Sequence, residues 1–169
     1  MNTKRKILTL KKAAARRRIA RLAGKKTVFT NGVFDLLHCG HVALLEKARS
    51  MGNILIVGVN TDASVRRFKG PARPLNRLRD RARVLAALEA VDMVVAFGRD
   101  TPYELLKVLK PDILVKGADY GAGQIVGREF AGRTVRAPLV KGISTTGLIE
   151  RLKAEGFQHS LNRKGRFPV

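Results

Sequence analysis

Thr27-Val28-Phe29-Thr30, followed by Asn31-Gly32-Val33-Phe34-Asp35-Leu36-Leu37-His38-Cys39-Gly40-His41, is the stretch that decides the fold. Its first four residues are β-branched or aromatic and read as a short buried strand. Asn31-Gly32 reads as a turn directly after it. Val42 to Arg49 then carries Leu44, Leu45 and Ala48 at helical spacing, with Gly52 past the end. A helix therefore opens close to His41. A loop that runs from a strand into a helix N-terminus gathers free N–H groups and the positive end of a helix dipole, which suits phosphate.

The same alternation continues outward in both directions. Residues 9–23 read as a helix with Leu10, Ala13, Ala14, Ile19 and Leu22 on a modest apolar face and Gly24 as its stop. Ile54 to Val59 is an unbroken apolar run, the pattern of a parallel strand covered on both faces. Asp62 reads as the cap of a short helix, residues 66–76 as a Gly/Pro/Arg-rich loop, and Arg79 to Ala90 as a helix with Val84, Leu85 and Leu88 inward. Met93 to Phe97 is a strand. Thr101-Pro102 opens a helix that runs to about Leu109 and that Pro111 stops. Ile113-Leu114-Val115 is the next strand, residues 120–132 a Gly-rich connection, Val135 to Val140 a last strand and Thr145 to Ala154 a last helix. The expectation is a Rossmann-like α/β fold, a parallel sheet of about five strands with helices on both faces. Ligands of such sheets bind beyond the C-terminal strand ends. That places the site at the loops after residues 30, 59 and 115 and at the start of the last helix.

Composition bounds the rest. The 169 residues suit one domain, divided as a basic N-terminal helix over 1–26, a central domain over 27–156 and a basic tail over 157–169. The single cysteine, Cys39, excludes an internal disulfide and cannot by itself build a zinc site. No apolar run is long enough to span a bilayer, and no secretory or transit segment is read, so a cytoplasmic protein without a membrane partner is expected. There are 34 Lys or Arg against 13 Asp or Glu, and residues 1–26 hold 11 of the basic residues and no acid. Such a segment either binds nucleic acid or an anionic surface or is a solvated face. No recognition helix or stacking-aromatic motif supports nucleic acid.

His38 and His41, three residues apart at a helix start, lie on one face, and Gly40 lets a ligand approach the backbone. The pair suits a phosphoryl group whose charge grows in a transition state. By spacing alone it also reads as half of a metal site, or as one capping and one surface histidine.

The wider pattern Gly-x-Phe-Asp-x-x-His-x-Gly-His over residues 32–41 resembles the signature of the Rossmann-like nucleotidylyltransferase superfamily. Val59-Asn60-Thr61-Asp62 with Lys69-Gly70 resembles a second block of its cytidylyltransferase-like branch, and Ile143-Ser144-Thr145-Thr146 a late block at the last helix. Asp-Ala-Ser-Val-Arg-Arg (62–67) and Asp-Ile-Leu-Val-Lys-Gly-Ala-Asp-Tyr (112–120) are similar to the adenylyltransferase domain of ADP-heptose synthases. Those enzymes join AMP from ATP to D-glycero-β-D-manno-heptose 1-phosphate and release pyrophosphate, and in many bacteria the domain is fused to a sugar kinase.

The resemblance implies roles. His38 and His41 would contact the nucleotide phosphates, and Lys69 would neutralise phosphate oxygens. Thr30, Asn31, Gly32, Phe34 and Gly40 would shape the nucleotide pocket, with Ser144, Thr145 and Thr146 holding the β- and γ-phosphates. Lys116 and Gly117 would lie against the nucleotide, Asp119 and Tyr120 against the base, ribose or sugar. Asp35, Asp62 and Arg73 are assigned to the substrate side, with Asp35 orienting the histidine loop. Arg73 and Arg81 are cations in a chain where Arg is abundant. No metal-ligand set is read; Mg²⁺ would arrive with ATP. A homodimer is expected only because relatives form them. Ala118 and Lys141 depart from the family pattern and bear on the choice of sugar. Glycerol 3-phosphate with CTP, or another phosphorylated acceptor, is the alternative substrate pair, and a nucleic-acid-binding protein is the alternative class.

Overall fold

A computed structural model describes residues 3–118, 125–138 and 142–154. Six strands form one sheet: β1 (Ile7–Leu8), β2 (Thr27–Gly32), β3 (Ile54–Asn60), β4 (Met93–Phe97), β5 (Ile113–Gly117) and β6 (Arg133–Ala137). Their order is β1-β4-β3-β2-β5-β6 and every neighbouring pair is parallel. The helices are α1 (Leu10–Leu22), α2 (Cys39–Arg49), α3 (Asp62–Lys69), α4 (Leu78–Ala87), α5 (Tyr103–Leu109) and α6 (Thr145–Ala154). Among the described residues no helix is long and apolar enough to cross a membrane.

Successive strand residues point to opposite sheet faces, and the two faces have separate cores. Val28, Leu55, Val57, Val59 and Val115 pack with Leu45 of α2 and Leu85 of α4 on one face. Phe29, Ile56, Val95 and Leu114 pack with Ala13 of α1 and Leu106 of α5 on the other. This two-sided burial is why β3 is apolar from Ile54 to Val59, with polar Asn60 at its C-terminal end. Gly58 is needed there because a Cβ would stand 2.8 Å from the Phe29 ring and 3.1 Å from Asn31 Cβ.

Several expectations need correction. The sheet has six strands because Ile7-Leu8 pairs with Val94 and Val95 at the edge. Two residues carry no periodicity, so the basic N-terminal segment gave no strand signal. That segment is part of the sheet domain: Lys6 Nζ donates to Leu88 O at 3.1 Å, and α1 packs on β2, β4 and α5. Asn31 and Gly32 stay in β2, paired with Gly58 and Val59, because a parallel neighbour holds them extended. Thr61, not Asp62, caps α3, and α3 runs to Lys69 inside the stretch read as loop. In α4, Val84 is half exposed while Arg81, Ala82, Leu85 and Ala86 are buried. Ile19 and Leu22 of α1 face solvent, since Ala13 and Ala20 supply its inner face.

At the N-terminal ends of the strands two aspartates act as pins. Asp112 accepts from Thr27 N at 2.7 Å and Thr27 Oγ1 at 2.8 Å, and Asp92 accepts from Leu55 N at 2.8 Å. They tie β5 to β2 and β4 to β3. The opposite, C-terminal edge is left to its loops. There β2 has β3 on one side and β5 on the other, the point where strand order reverses.

Candidate active site

At that switch point the loop after β2 turns back through Phe34, which sits at φ 50. Such a left-handed residue costs roughly 1–2 kcal/mol outside glycine, and it points the ring inward. Phe34 is buried, and its ring fills the space a side chain at Gly32 would take, 3.1 Å from an ideal Cβ. The ring also lies 5.3 Å from that of His41. Gly32 and Phe34 thus shape the loop more than they offer contacts.

His38 is the N-cap residue of α2, in extended conformation, and its side chain makes no capping bond. Its ring is free to stack on that of His41, one turn on, with centroids 3.8 Å apart. The Nδ1 atoms of both rings are shielded and have no partner among the described residues. Burial lowers the His38 imidazole below its usual range. Burial first, then the charges of His38 and Lys69, pushes His41 down to about 4. Both rings are therefore neutral at pH 7. A bound anion would reverse the electrostatic part of that shift.

His41 lines a cleft of about 430 Å³. Asn31, Lys69, Arg73, Asp100 and Thr145 border it from β2, the end of α3, the α3–α4 loop, the β4–α5 loop and α6. Lys69 and Arg73 add positive charge opposite the histidine helix. Arg73 is largely buried, lies 3.5 Å from Asp35 through one nitrogen, and leaves its other terminal nitrogen without a partner among the described residues. Gly70, at φ 88, turns the chain between these two cations without strain. Gly40 lies in the first turn of α2.

The remaining assignments divide. Lys116 is buried and its ammonium donates to Asn31 Oδ1, bridging β5 to β2 beneath the cleft; Gly117 is the buried last residue of β5. Thr145 donates to Leu36 O at 3.4 Å, joining α6 to the histidine loop. Ser144 caps α6 through Gly147 N at 3.0 Å, and both it and Thr146 are exposed. Thr30 is buried, its hydroxyl has no partner among the described residues, and it does not border the cleft. Asp119 and Tyr120 lie outside the described residues, as does Lys141.

Asp35 and Asp62 are struts rather than free substrate contacts. Asp35 accepts from Leu75 N at 2.9 Å and Asn76 N at 2.8 Å, which holds the loop carrying Arg73 against the histidine loop. Asp62 accepts from Leu78 N, the first residue of α4, at 2.9 Å and from Arg81 at 2.7 Å. Arg81 is fully buried and also donates to Val33 O at 2.5 Å, Asn60 O at 2.7 Å and Asn76 O at 3.0 Å. One guanidinium thus ties together the histidine loop, the end of β3, the start of α3 and the α3–α4 loop. Sequence reading set Arg81 among many arginines. Only its place in the inward stripe with Ala82 and Leu85 marked it out. Phe68, half exposed at the cleft mouth, and Asp100, paired with Arg67 at 2.6 Å, were not anticipated.

Residues 29–151 match the model of the family described as cytidylyltransferase-like. This chain belongs to the cytidylyltransferase-like family. Its class of chemistry is nucleotidyl transfer. The chain is 57% identical over 149 residues to the bifunctional protein HldE of Magnetococcus marinus, covering 85% of this chain and 31% of that protein. It is 56% identical over 131 residues to the bifunctional protein HldE of Nitratiruptor, covering 78% and 28%. It therefore spans less than a third of the length of these relatives. Among solved structures, a lipopolysaccharide core biosynthesis protein from Thermoplasma volcanium superposes with a TM-score of 0.58 at 27% identity, over 71% of this chain and all of that one. The pantoate-beta-alanine ligase of Francisella tularensis shares the fold, with a TM-score of 0.59 at 18% identity over 90% of this chain. Among the described residues no group of three or more His, Cys, Asp or Glu is placed to hold an ion.

Proposed function

We propose that the chain transfers AMP from ATP to D-glycero-β-D-manno-heptose 1-phosphate, giving ADP-heptose and pyrophosphate in the cytoplasm. The observation that carries the reading is the stacked His38–His41 pair at the start of α2, with His41 lining the cleft that Lys69 and Arg73 also border. The likeness to ADP-heptose synthase domains and to the HldE proteins supports the acceptor.

An oxygen of the sugar phosphate attacks the α-phosphorus in line. The new P–O bond forms as the bond to the β-phosphate oxygen breaks, and pyrophosphate leaves. The acceptor is already an anion, so no side chain has to act as nucleophile or base. The protein's task is positioning and charge neutralisation. His38 and His41 donate hydrogen bonds to α- and β-phosphate oxygens, joined by the N–H groups of the first turn of α2. Lys69 and Arg73 neutralise the acceptor phosphate and the departing pyrophosphate. Thr145 approaches the triphosphate from α6. Mg²⁺ would come with ATP and offset phosphate charge; Asp35 and Asp62 are committed to backbone amides and arginines.

The test is product analysis by mass spectrometry after incubation with ATP, Mg²⁺ and the heptose 1-phosphate. ADP-heptose and pyrophosphate are expected in equal amounts. Consumption of CTP with glycerol 3-phosphate, with no ADP-heptose formed, refutes the assigned substrates.

A further inference from the structure

The cationic surface of α1 has no part in the chemistry above. Ala13 and Ala20 turn that helix onto the sheet. At 100° per residue the opposite face then carries Lys11, Ala15, Arg18, Ile19 and Leu22, and all five are exposed. Ile19 is 65% and Leu22 83% exposed, bare aliphatic side chains one turn apart. Lys12, Lys25 and Lys26 are exposed as well, and residues 1–26 contain no acid. Arg17 donates to Lys110 O, which sets the end of α5 beside α1, and α5 adds exposed Lys107, Lys110 and a half-exposed Val108. Glu104 is the one acid on the two helices.

We propose that this α1–α5 face adsorbs the protein to an anionic lipid bilayer surface. Exposed aliphatic side chains interspersed with lysines and arginines match the interfacial region, where tails receive the apolar groups and headgroups receive the cations. A second copy of the chain is disfavoured, because the face would meet its own positive charge. Nucleic acid would be met by the cations, but α1 offers no aromatic side chain for base stacking and gives Ile19 and Leu22 nothing to do. The sequence expectation of no membrane partner rested on the lack of a spanning helix; adsorption needs none.

Cosedimentation of the full chain with vesicles tests this. Binding is expected to vesicles rich in phosphatidylglycerol and not to phosphatidylcholine alone, and to weaken with salt. Lys11→Glu with Arg18→Glu is expected to weaken binding more than about fivefold per site. Ile19→Ser with Leu22→Ser is expected to weaken it about tenfold or more at unchanged charge. Circular dichroism and nucleotidyl transfer are expected to be unchanged in both, since none of these side chains borders the cleft. Equal binding to both vesicle types overturns the proposal. So does full binding by the serine variant, which would mean charge adsorption alone. Tighter binding to duplex DNA or single-stranded RNA that displaces the vesicles assigns the face to nucleic acid instead.

Discussion

Replacing Arg81 with Met removes the one group that joins the four segments around the cleft. Methionine matches most of the aliphatic length of the side chain and leaves no large void, so the loss is mainly electrostatic. Val33 O, Asn60 O and Asn76 O lose a donor in a buried setting, while Asp62 keeps the amide of Leu78. Each bond involving a charged group contributes about 1.5–3 kcal/mol, but the four are not additive, and removing a buried cation recovers its desolvation cost. Removing one partner of a buried ion pair typically costs about 3–5 kcal/mol. For a chain of this length that corresponds to a fall in Tm of roughly 6–20 °C. Arg81→Met is therefore expected to stay folded at 25 °C with much of its stability gone. Urea unfolding followed by circular dichroism measures the loss. Because Asn76 and Val33 support Arg73 and the histidine loop, kcat at saturating substrate should fall in the folded protein as well. Arg81→Lys should recover part of the stability through Asp62 and little of the rate, since one ammonium cannot reach all four acceptors. A loss below about 1 kcal/mol, or a normal kcat in Arg81→Met, would refute the clamp.

Four further outcomes follow from the same geometry. His38→Ala and His41→Ala should each lower turnover by at least about 10²-fold in a pyrophosphate-release assay, the scale for losing a preorganised donor; near-normal turnover in both removes their assigned role. The His41 imidazole, held at about 4 against a usual 6.5, takes up its proton less readily when folded. The unfolded chain thus binds more protons between those values, and stability is complete above pH 6.5 and falls as pH drops toward 4. The urea midpoint of His41→Asn should fall less than that of the parent between pH 6.5 and 5, before carboxylates titrate. Asp35→Asn should cost about 2 kcal/mol by loss of charge-assisted bonds to the loop amides and speed proteolytic cleavage between residues 70 and 77. Deleting residues 1–6 should lower the free energy of unfolding by about 1 kcal/mol for the Lys6 bond alone, whereas a detached basic arm would show no change.

The sheet was legible in the sequence because a parallel strand covered on both faces carries an unbroken apolar run, as Ile54–Val59 and Ile113–Val115 do. The histidine loop was legible because its chemistry is local: strand, loop and helix N-terminus adjoin in the chain, and residues 32–41 alone bring His38 and His41 to one face. What tertiary structure decided is which polar residues face the cleft and which support it. Asp35, Asp62 and Arg81 look alike in sequence to Lys69 and Arg73, because a charged side chain carries no mark of the partner it will meet 16 to 48 positions away. The same holds for Ile19 and Leu22, apolar residues that read as inward until the packing of Ala13 and Ala20 fixed the rotation of α1. Periodicity reports that a helix has faces. Which one is buried is set by the neighbours against which it packs.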